Sequence, residues 1–510
     1  MNNPTPSRPA PTIAYQSALR PALPCVYGPV EFREFRDRLV TIDGLLVAGG
    51  LEEMFVQRAV VENAAELAEA TPRQLARFAR TSVLALRCNV ARKLTGLAFR
   101  EFAVRASESS LLQWFLRIGE IDRVKVPAKS TLERFDKWVE EETMTQVHLK
   151  LISQAVQSAT ATAPQPLGLS EAVDASEAFL DSTCLKAPIH FPTDWVMLRD
   201  AARTLMKATV LIRREGLKQR MPQEPLQFLG EMNKLGMAMS ACRGRADSKK
   251  QRKRVLRQMK ALEKKIAAHA RAHRALLETR RAETTFTEKQ AQAIIRRIDG
   301  ILTQLPAAIR QAHERIIGGR QVPHADKILS LYEPDAEVIK RHKAGAEVEF
   351  GNKLWLAETR AGLIVDWELM EKAKADTALV MPSVQRLREA LRLDVKRAWG
   401  DRGLFSQANE KALAQRGIKS GLCPRDPDEL QKRLAADAEL RAGLRRRGSG
   451  TEARMAIFKH CFTGSPCRTK GLKARKVAVA WAVLAHNLWV LARLKLAQEK
   501  KAAATAKQAA

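Results

Sequence analysis

The spacing of apolar and polar positions predicts a chain built mainly from helices. Residues 31–158 follow a helical period throughout. One helix is expected to begin at Thr71-Pro72, because a threonine cap followed by proline is favoured at a helix start. A polar, proline-bearing break follows at 157–176, and nearly all residues between Asp181 and Lys327 return to the helical pattern.

Strand-like patterns are short and lie mostly in the C-terminal half. "EAFLDSTCLKA" predicts a strand ending at Asp181, and the segments 352–360 and 361–370 predict a hairpin that turns near Arg360–Gly362. A further strand is predicted at 327–333. The stretch 397–426 predicts a strand, a turn carrying Asp401, a helix and a second strand, and a helix carrying Glu452 follows.

A possible DNA reader lies in "SSLLQWFLRIGEIDRVKVPAKSTLERFDKWVEEE". The pattern predicts two helices around a turn at Gly119, and the second helix is expected to open with a capping box at residues 130–133. A helix-turn-helix of this kind would contact DNA through Ser130, Thr131, Arg134 and Lys137. A plain helical bundle fits the same residues equally well.

The charge of the chain points to a polyanionic partner. The sequence has 87 Lys and Arg against 56 Asp and Glu, a formal net charge of +31. Nucleic acid is the commonest such partner, because clustered cations release counterions from phosphates. A basic surface that is merely solvated is the alternative.

The excess charge is concentrated in residues 243–281, which carry 15 Lys and Arg against 3 acidic residues. An apolar seam at spacings of four and three predicts a coiled-coil-like helix; its members are Val255, Met259, Leu262, Ile266, His269, His273 and Leu276. The helix is expected either to lie along a DNA backbone or to form a helical hairpin with a solvated cationic face. The predicted DNA contacts are Lys249, Lys250, Arg252, Lys253 and Arg254.

Other segments predict no membrane anchor and no zinc site. The apolar stretch 477–494 is short for a span and holds His486 and Asn487 in its middle, so a buried core helix is expected. Seven scattered cysteines without a CxxC pair suit a reducing cytoplasm. His460, Cys461 and Cys467 lie close in sequence but lack further ligands for zinc.

Three acidic residues form the candidate catalytic set. Asp181 and Asp401 are each expected at a strand end, and neighbouring strands would bring both carboxylates to one sheet edge. Glu452, on a helix packed over that edge, would complete the set. Such converging carboxylates suit two Mg²⁺ ions about 3.5–4 Å apart, as used in phosphodiester chemistry. Lys459 lies two helical turns after Glu452 and would face a bound phosphate.

These motifs resemble the DDE transposases of bacterial insertion sequences. The resemblance rests on "FLDSTCLKAPIHFPTD", "GDRGLFSQANE", "TEARMAIFK" and the closing helix "AVLAHNLWVLARL", with "SLLQWFLRIGEI" and "STLERFDKWV" resembling the N-terminal helical domain. It implies an RNase H-like catalytic domain, a metal-binding triad of Asp181, Asp401 and Glu452, and two Mg²⁺ ions, with Mn²⁺ as a substitute.

Lys459 matches the lysine of the family's Tyr-Arg-Glu-Lys signature, whereas Arg445 and Gly448 stand where its tyrosine and arginine are expected. Arg445, Arg446 and Arg447 are therefore candidates to replace the missing phosphate contacts. Arg402 and Arg454, which lie beside the second aspartate and the glutamate, are also predicted to contact DNA.

The expected fold class is mixed and predominantly helical: an N-terminal helical DNA-binding domain and an α/β RNase H-like catalytic domain with a long helical insertion. The predicted boundaries are a Pro-rich tail at 1–30, the DNA-binding domain at 31–158, the catalytic domain at 171–194 and 323–495, the insertion at 195–322 and a second tail at 496–510.

The expected function is transposition of an insertion sequence, with metal-dependent cleavage and 3′-OH strand transfer. The expected partners are the inverted-repeat ends and target DNA, bound by a homodimer in the bacterial cytoplasm with the nucleoid, and no membrane. A transposase-derived DNA-binding protein without activity is the alternative. A coiled-coil RNA-binding protein would explain the charge but not the carboxylates.

Overall fold

The protein is predominantly helical and contains one mixed sheet of six strands. The computed structural model describes residues 23, 25, 27–119, 123–242, 247–343 and 346–509. The predicted tail at 1–30 therefore lies almost wholly outside the described residues.

The N-terminal part is all helical, as the apolar spacing predicts. Its helices are α1 (Val30–Ala48), α2 (Leu51–Glu62), α3 (Ala64–Leu67), α4 (Pro72–Thr95), α5 (Phe99–Glu108), α6 (Ser110–Leu116), α7 (Lys129–Phe135) and α8 (Glu141–Val156). The predicted start of α4 is confirmed: Thr71 caps the helix, forms a capping box with Gln74, and Pro72 occupies the first position.

The predicted helix-turn-helix differs from the structure in its turn and its cap. Twelve residues separate α6 from α7, three of them outside the described ranges, so the connection is not a tight turn. The capping box predicted at Ser130 is wrong, because α7 begins one residue earlier at Lys129 and Ala128 occupies the cap position. The carbonyl of Ala128 already accepts the N–H groups of Thr131 and Leu132, which leaves Ser130 inside the helix.

The sheet combines parallel and antiparallel pairs. Its strands are β1 (Glu177–Lys186), β2 (Glu337–Lys343), β3 (Ala346–Glu358), β4 (Ile364–Leu369), β5 (Arg397–Gly400) and β6 (Lys419–Leu422). The order is β2-β3-β1-β5-β6, and β4 pairs with β3. β1 and β5 are parallel, as are β5 and β6, whereas β3 pairs antiparallel with β2 and β4.

The β3–β4 hairpin and the strand-turn-helix-strand order of 397–426 agree with the sequence pattern. Gly362 has φ +90° in the hairpin turn, a conformation that glycine adopts without strain. In the second segment, α14 (Gln407–Ala414) connects β5 to β6. The other C-terminal helices are α13 (Val380–Glu389), α15 (Pro427–Ala436), α16 (Ala438–Arg446), α17 (Glu452–Ile457) and α18 (Leu472–Ala509).

Two strand predictions were wrong in detail. Residues 327–333 are not a strand, because the side chain of Gln311 takes both backbone groups of Ile328, accepting its N–H at 2.8 Å and donating to its carbonyl at 3.0 Å. Those groups are then satisfied without a partner strand. β1 does not end at Asp181 but continues to Lys186, so Asp181 lies in the middle of the strand.

The chain divides into two compact units. One consists of residues up to Leu185, Lys353–Thr469 and Lys473–Ala510, and the other of Lys186–Asn352 with Lys470–Leu472. The N-terminal helices thus belong to the same unit as most of the sheet. Their core residues form one cluster with residues of α18, and Phe55 packs on Trp481 with ring centroids 5.6 Å apart.

The second unit holds the long helical segment that the sequence predicts. Its helices are α9 (Asp194–Arg214), α10 (Pro225–Ala241), α11 (Ser248–Thr279) and α12 (Glu288–Ala312), which pack on one another. The apolar seam of α11 is largely as predicted up to Ile266. Beyond it His273 is buried as predicted, together with Ala270 and Leu277, whereas His269 and Leu276 lie at the margin.

Helix α18 is long and apolar enough, by length and composition, to cross a membrane, and no other helix in the described ranges is. In the most apolar 18-residue stretch of this helix, 83% of the residues are buried inside the protein. This is the burial expected of a core helix.

Candidate active site

Asp181 and Asp401 are brought together by the register of two parallel strands. Glu177, Ala178 and Phe179 of β1 pair in turn with Arg397, Ala398 and Trp399 of β5. Continued by two residues, this register sets Asp401 opposite Asp181. The side chains agree, because a single guanidinium nitrogen of Arg447 lies 3.2 Å from Asp181 Oδ2 and 3.6 Å from Asp401 Oδ2.

The aspartates differ in their surroundings. Asp401 follows β5 directly and closes a turn, since its Oδ1 accepts the N–H groups of Gly403 at 3.0 Å and Leu404 at 3.2 Å. Its Oδ2 faces Arg447. Asp181 is more enclosed, and burial raises the pKa of its carboxyl to about 6. The Arg447 cation opposes this rise in the pKa, and the negative charges of Asp401 and Glu452 add to it.

Arg447 reaches the aspartates because α16 passes very close to the sheet. Trp399 on β5 stacks on Phe179, with ring centroids 5.9 Å apart, and lies against Gly421 and Gly443. Neither glycine has room for a Cβ beside the indole ring. The glycine at 443 therefore allows α16 to approach β5, and Arg447 follows at the end of that helix.

The candidate glutamate and lysine lie on the next helical segment. Two π-helical stretches, Arg447–Thr451 and Phe458–Thr463, flank α17, and such turns are frequent at functional sites. Glu452 opens α17, is exposed, and is near enough to influence the pKa of Asp181. Lys459 Nζ donates to Thr183 Oγ1 at 3.2 Å, two residues beyond Asp181 on β1.

A further acidic residue that the sequence did not indicate lies beside this set. Asp376 Oδ1 accepts hydrogen bonds from Ser182 Oγ at 2.7 Å and Lys353 Nζ at 2.9 Å. A Cβ placed on Gly403 would lie 3.7 Å from Asp376 Oδ2 and 3.2 Å from Asp401 Oδ1, so both carboxylates border that glycine. The segment "ADTAL" carries no pattern by which sequence alone could have identified Asp376.

Arg454 has a partner inside the protein. Its guanidinium donates two hydrogen bonds to Glu358 at the end of β3, at 2.8 and 2.5 Å. Its aliphatic part packs over Gly362 in the hairpin turn. The predicted DNA contact is therefore held in an ion pair that attaches α17 to the β3–β4 hairpin, next to Glu452.

The other predicted DNA contacts are mostly exposed. Arg402 and four of the five basic residues of α11 are exposed, and Lys253 is half-buried. Within the described ranges none of those five lysines and arginines forms an ion pair with an acidic side chain. On α7, Ser130 and Arg134 are exposed, whereas Thr131 is half-buried and accepts from Arg134 at 3.2 Å. Lys137, which follows this helix, is exposed.

Two of the three predicted metal ligands lie close together. Carboxylate oxygens of Asp181 and Asp401 converge on one cation, the Arg447 guanidinium, and hard oxygen donors of this kind suit Mg²⁺. Among the described residues no group of three or more His, Cys, Asp or Glu is arranged to hold a metal. The two aspartates supply oxygen donors of a suitable kind, and the magnesium site with Glu452 as its third ligand stays a prediction.

Comparison with known proteins gave no match to a family model, a curated protein or a solved structure.

Proposed function

We propose that this protein is the DNA transposase of an insertion sequence, with a catalytic domain of the RNase H-like kind. One observation carries the proposal: Asp181 and Asp401 come from distant parts of the chain and meet around one cation, Asp181 within β1 and Asp401 directly after the parallel neighbour β5. Acidic side chains placed together in a protein with a net charge of +31 need a specific reason. A mixed sheet surrounded by helices is compatible with the proposed domain.

Each residue of the site then has a role. Asp181 and Asp401, with Glu452 as the expected third ligand, would hold Mg²⁺, which lowers the pKa of water and stabilises the leaving oxygen in phosphodiester cleavage. Lys459, held near Asp181 by Thr183, would pair with a phosphate of the bound DNA. The Arg454–Glu358 pair would fix α17 and so orient Glu452.

The DNA substrate would be the inverted-repeat ends of the element and a target duplex, joined by a homodimer in the cytoplasm. The unpaired cations of α11 support a backbone contact, because a row of exposed like charges is favoured by a polyanion. Ser130, Thr131, Arg134 and Lys137 are the proposed contacts in the N-terminal helices. The exposed Arg402, directly after Asp401, is proposed to contact DNA at the site.

A DNA-binding protein without catalytic activity is the second candidate, and one observation favours it. Arg447 already places a buried guanidinium against both aspartates and offsets part of their negative charge. A chain that keeps this arrangement permanently would bind DNA and never cut it.

A plasmid assay separates the two candidates. The substrate is a supercoiled plasmid carrying the chain's own coding region with its native flanking DNA on both sides. The purified protein is added with Mg²⁺ or Mn²⁺, and free 3′ ends at the element boundaries are detected by ligation-mediated sequencing. A transposase produces ends at two inverted repeats and requires the divalent ion.

The double variant Asp181→Asn/Asp401→Asn is the matched control in that assay and should produce no ends. Binding to the flanking DNA without ends under either ion, in the wild type as well, would reject the transposase and retain the second candidate.

A further inference from the structure

We infer that Arg447 is a further functional residue of this site: its guanidinium occupies the position of a divalent cation between Asp181 and Asp401 and must be displaced when one binds. The inference deepens the proposed function and rests on it for the identity of the incoming ion. The structural argument comes from the contacts of Arg447.

The geometry of Arg447 is that of a substitute cation. One of its terminal nitrogens lies within 3.2 Å of Asp181 and 3.6 Å of Asp401, so the same point approaches an oxygen from each carboxylate. A divalent ion shared by the pair needs the same two oxygens. The nitrogen and the ion therefore exclude each other, since both cannot occupy the space between the carboxylates.

Arg447 has a buried hydrogen-bond donor that is not satisfied, which makes its displacement feasible. Only 8% of the residue is exposed, yet its Nε has no hydrogen-bond partner within the described structure. A buried donor without a partner lowers the net stability of the arrangement in which Arg447 lies between the two aspartates. The neighbouring Thr451 hydroxyl is also buried without a partner in that part of the chain.

The backbone at Arg447 is suited to rearrangement. Arg447 opens a π-helical stretch that contains Gly448 and Gly450. π-helical turns are local interruptions of the regular hydrogen-bond ladder, and glycine widens the accessible backbone conformations. A small change there moves the guanidinium without unfolding α16 or α17. Once released, the guanidinium is free to form paired hydrogen bonds with a DNA phosphate.

Metal binding without DNA provides the test. Mn²⁺ is added as MnCl₂ to the full-length protein, and the free ion is counted by electron paramagnetic resonance. Arg447→Met removes the charge and keeps most of the length, so the variant should bind Mn²⁺ at least about tenfold more tightly, since an opposite charge this close changes a carboxylate's proton affinity by about one to three orders of magnitude. Arg441→Met, at an exposed arginine of α16 that has no proposed role in the site, is the matched control and should bind as the wild type does.

Thermal unfolding shows whether the variant is folded. Metal-free Arg447→Met should melt below the wild type, because the carboxylates of Asp181 and Asp401 then repel each other without a cation between them. Mn²⁺ should raise the melting temperature of the variant more than that of the wild type. Adding Asp401→Asn should remove the gain in affinity. If Arg447→Met does not fold, Arg447→Gln takes its place, because it also removes the charge and should show a similar gain.

Unchanged or weaker Mn²⁺ binding in the folded Arg447 variant overturns the inference. This outcome is independent of the proposed function. If the protein cuts DNA but binds Mn²⁺ equally well with and without the Arg447 side chain, this inference is rejected and the transposase proposal stands. If the protein never cuts DNA but the variant binds Mn²⁺ more tightly, the transposase proposal is rejected and this inference stands.

Discussion

Asp181 and Asp401 face the same guanidinium, although the β2–β4 strands and a bundle of four helices lie between them in the sequence. The parallel register of β1 and β5 produces this meeting, because Asp401 directly follows β5 at the position where the continued register would set it opposite Asp181. The cost of enclosing Asp181 beside other acids is visible in its pKa, which burial and the neighbouring acids raise to about 6 even with Arg447 present. Such a pair is kept in a protein at some cost to stability.

Removing either aspartate should separate cleavage from binding. Asp401→Asn and Asp181→Asn keep nearly the same shape but lose a charged ligand, so strand cleavage in Mg²⁺ should fall below detection. Binding to element ends in a gel shift should hold or tighten slightly, since a negative charge near phosphates is gone. Asp394→Asn, at a side chain that is 86% exposed, is the control and should cut normally. Wild-type cleavage by Asp401→Asn would mean that Asp401 is not a ligand.

The basic residues of α11 should govern the salt dependence of DNA binding. Replacing Lys249, Lys250, Arg252, Lys253 and Arg254 by glutamine should weaken binding to every sequence alike. The slope of log K against log salt should become shallower by about 0.9 for each lost phosphate contact. The control replaces Arg280 and Arg281, which are paired with Glu283 and Glu288, and should leave most of the slope. An unchanged slope in the five-fold variant would make this face merely solvated.

Asp376 should act as a positioning residue for Asp181. Asp376→Ala removes the acceptor that holds Ser182 and Lys353, so β1 loses a contact at the residue next to Asp181. The cleavage rate should fall about 10–100-fold, the usual effect of losing a group that orients a ligand. Asp376→Asn retains an acceptor for Ser182 and should recover part of that rate. Mn²⁺ affinity should fall in the same order, and equal rates for the wild type and both variants would contradict the role.

Arg454 should matter for stability more than for DNA binding. Arg454→Met leaves Glu358, which is 5% exposed, without its cation, and should cost about 2–3 kcal/mol in the free energy of unfolding. The double variant Glu358→Gln/Arg454→Met should recover much of this loss in chemical denaturation. Arg402→Gln, at an exposed position, provides the opposite case: weaker DNA binding with unchanged stability. A stable Arg454→Met that binds DNA poorly would restore Arg454 as a direct contact.

Glu263 should make the helical unit less stable as the pH rises. The carboxyl is fully buried on α11 without a hydrogen-bond partner among the described residues, and burial raises its pKa from 4.5 to about 8. The folded chain therefore keeps a proton that the unfolded chain releases. The contribution is fully favourable below pH 4.5 and is lost progressively up to about pH 8.

Glu263→Gln should remove this pH dependence and stabilise the protein at pH 7 by on the order of 3 kcal/mol. Hydrogen exchange in α11 is followed from pH 5 to 8 to measure the effect. Each rate is divided by the intrinsic exchange rate at the same pH. Glu231→Gln, at an exposed position of α10, is the control and should change little. Equal protection of α11 in wild type and Glu263→Gln across this range would refute the assignment.

The sequence by itself determined the elements whose signals are local. The helical period marked the N-terminal helices and the insertion, Thr71-Pro72 marked a helix start, and the glycine near residue 362 marked a hairpin turn. The strand-turn-helix-strand order around Asp401 was also predicted, because each signal lies within a few residues of the structure it specifies. Composition alone gave the basic character of α11.

Tertiary structure decided the features that depend on residues far apart in the chain. Ile328 is not in the predicted strand, because the Gln311 side chain satisfies its backbone groups. β1 continues beyond Asp181 to Lys186 with β3 as its other neighbour in the sheet, although β5 has already ended. Local spacing in the sequence did not indicate three features. These are the position of Asp376 beside the aspartate pair, the burial of Glu263, and the position of Arg447 between the two aspartates. Strand pairing and helix packing fix such contacts, because their energy comes from which surfaces meet rather than from the order of residues within one element.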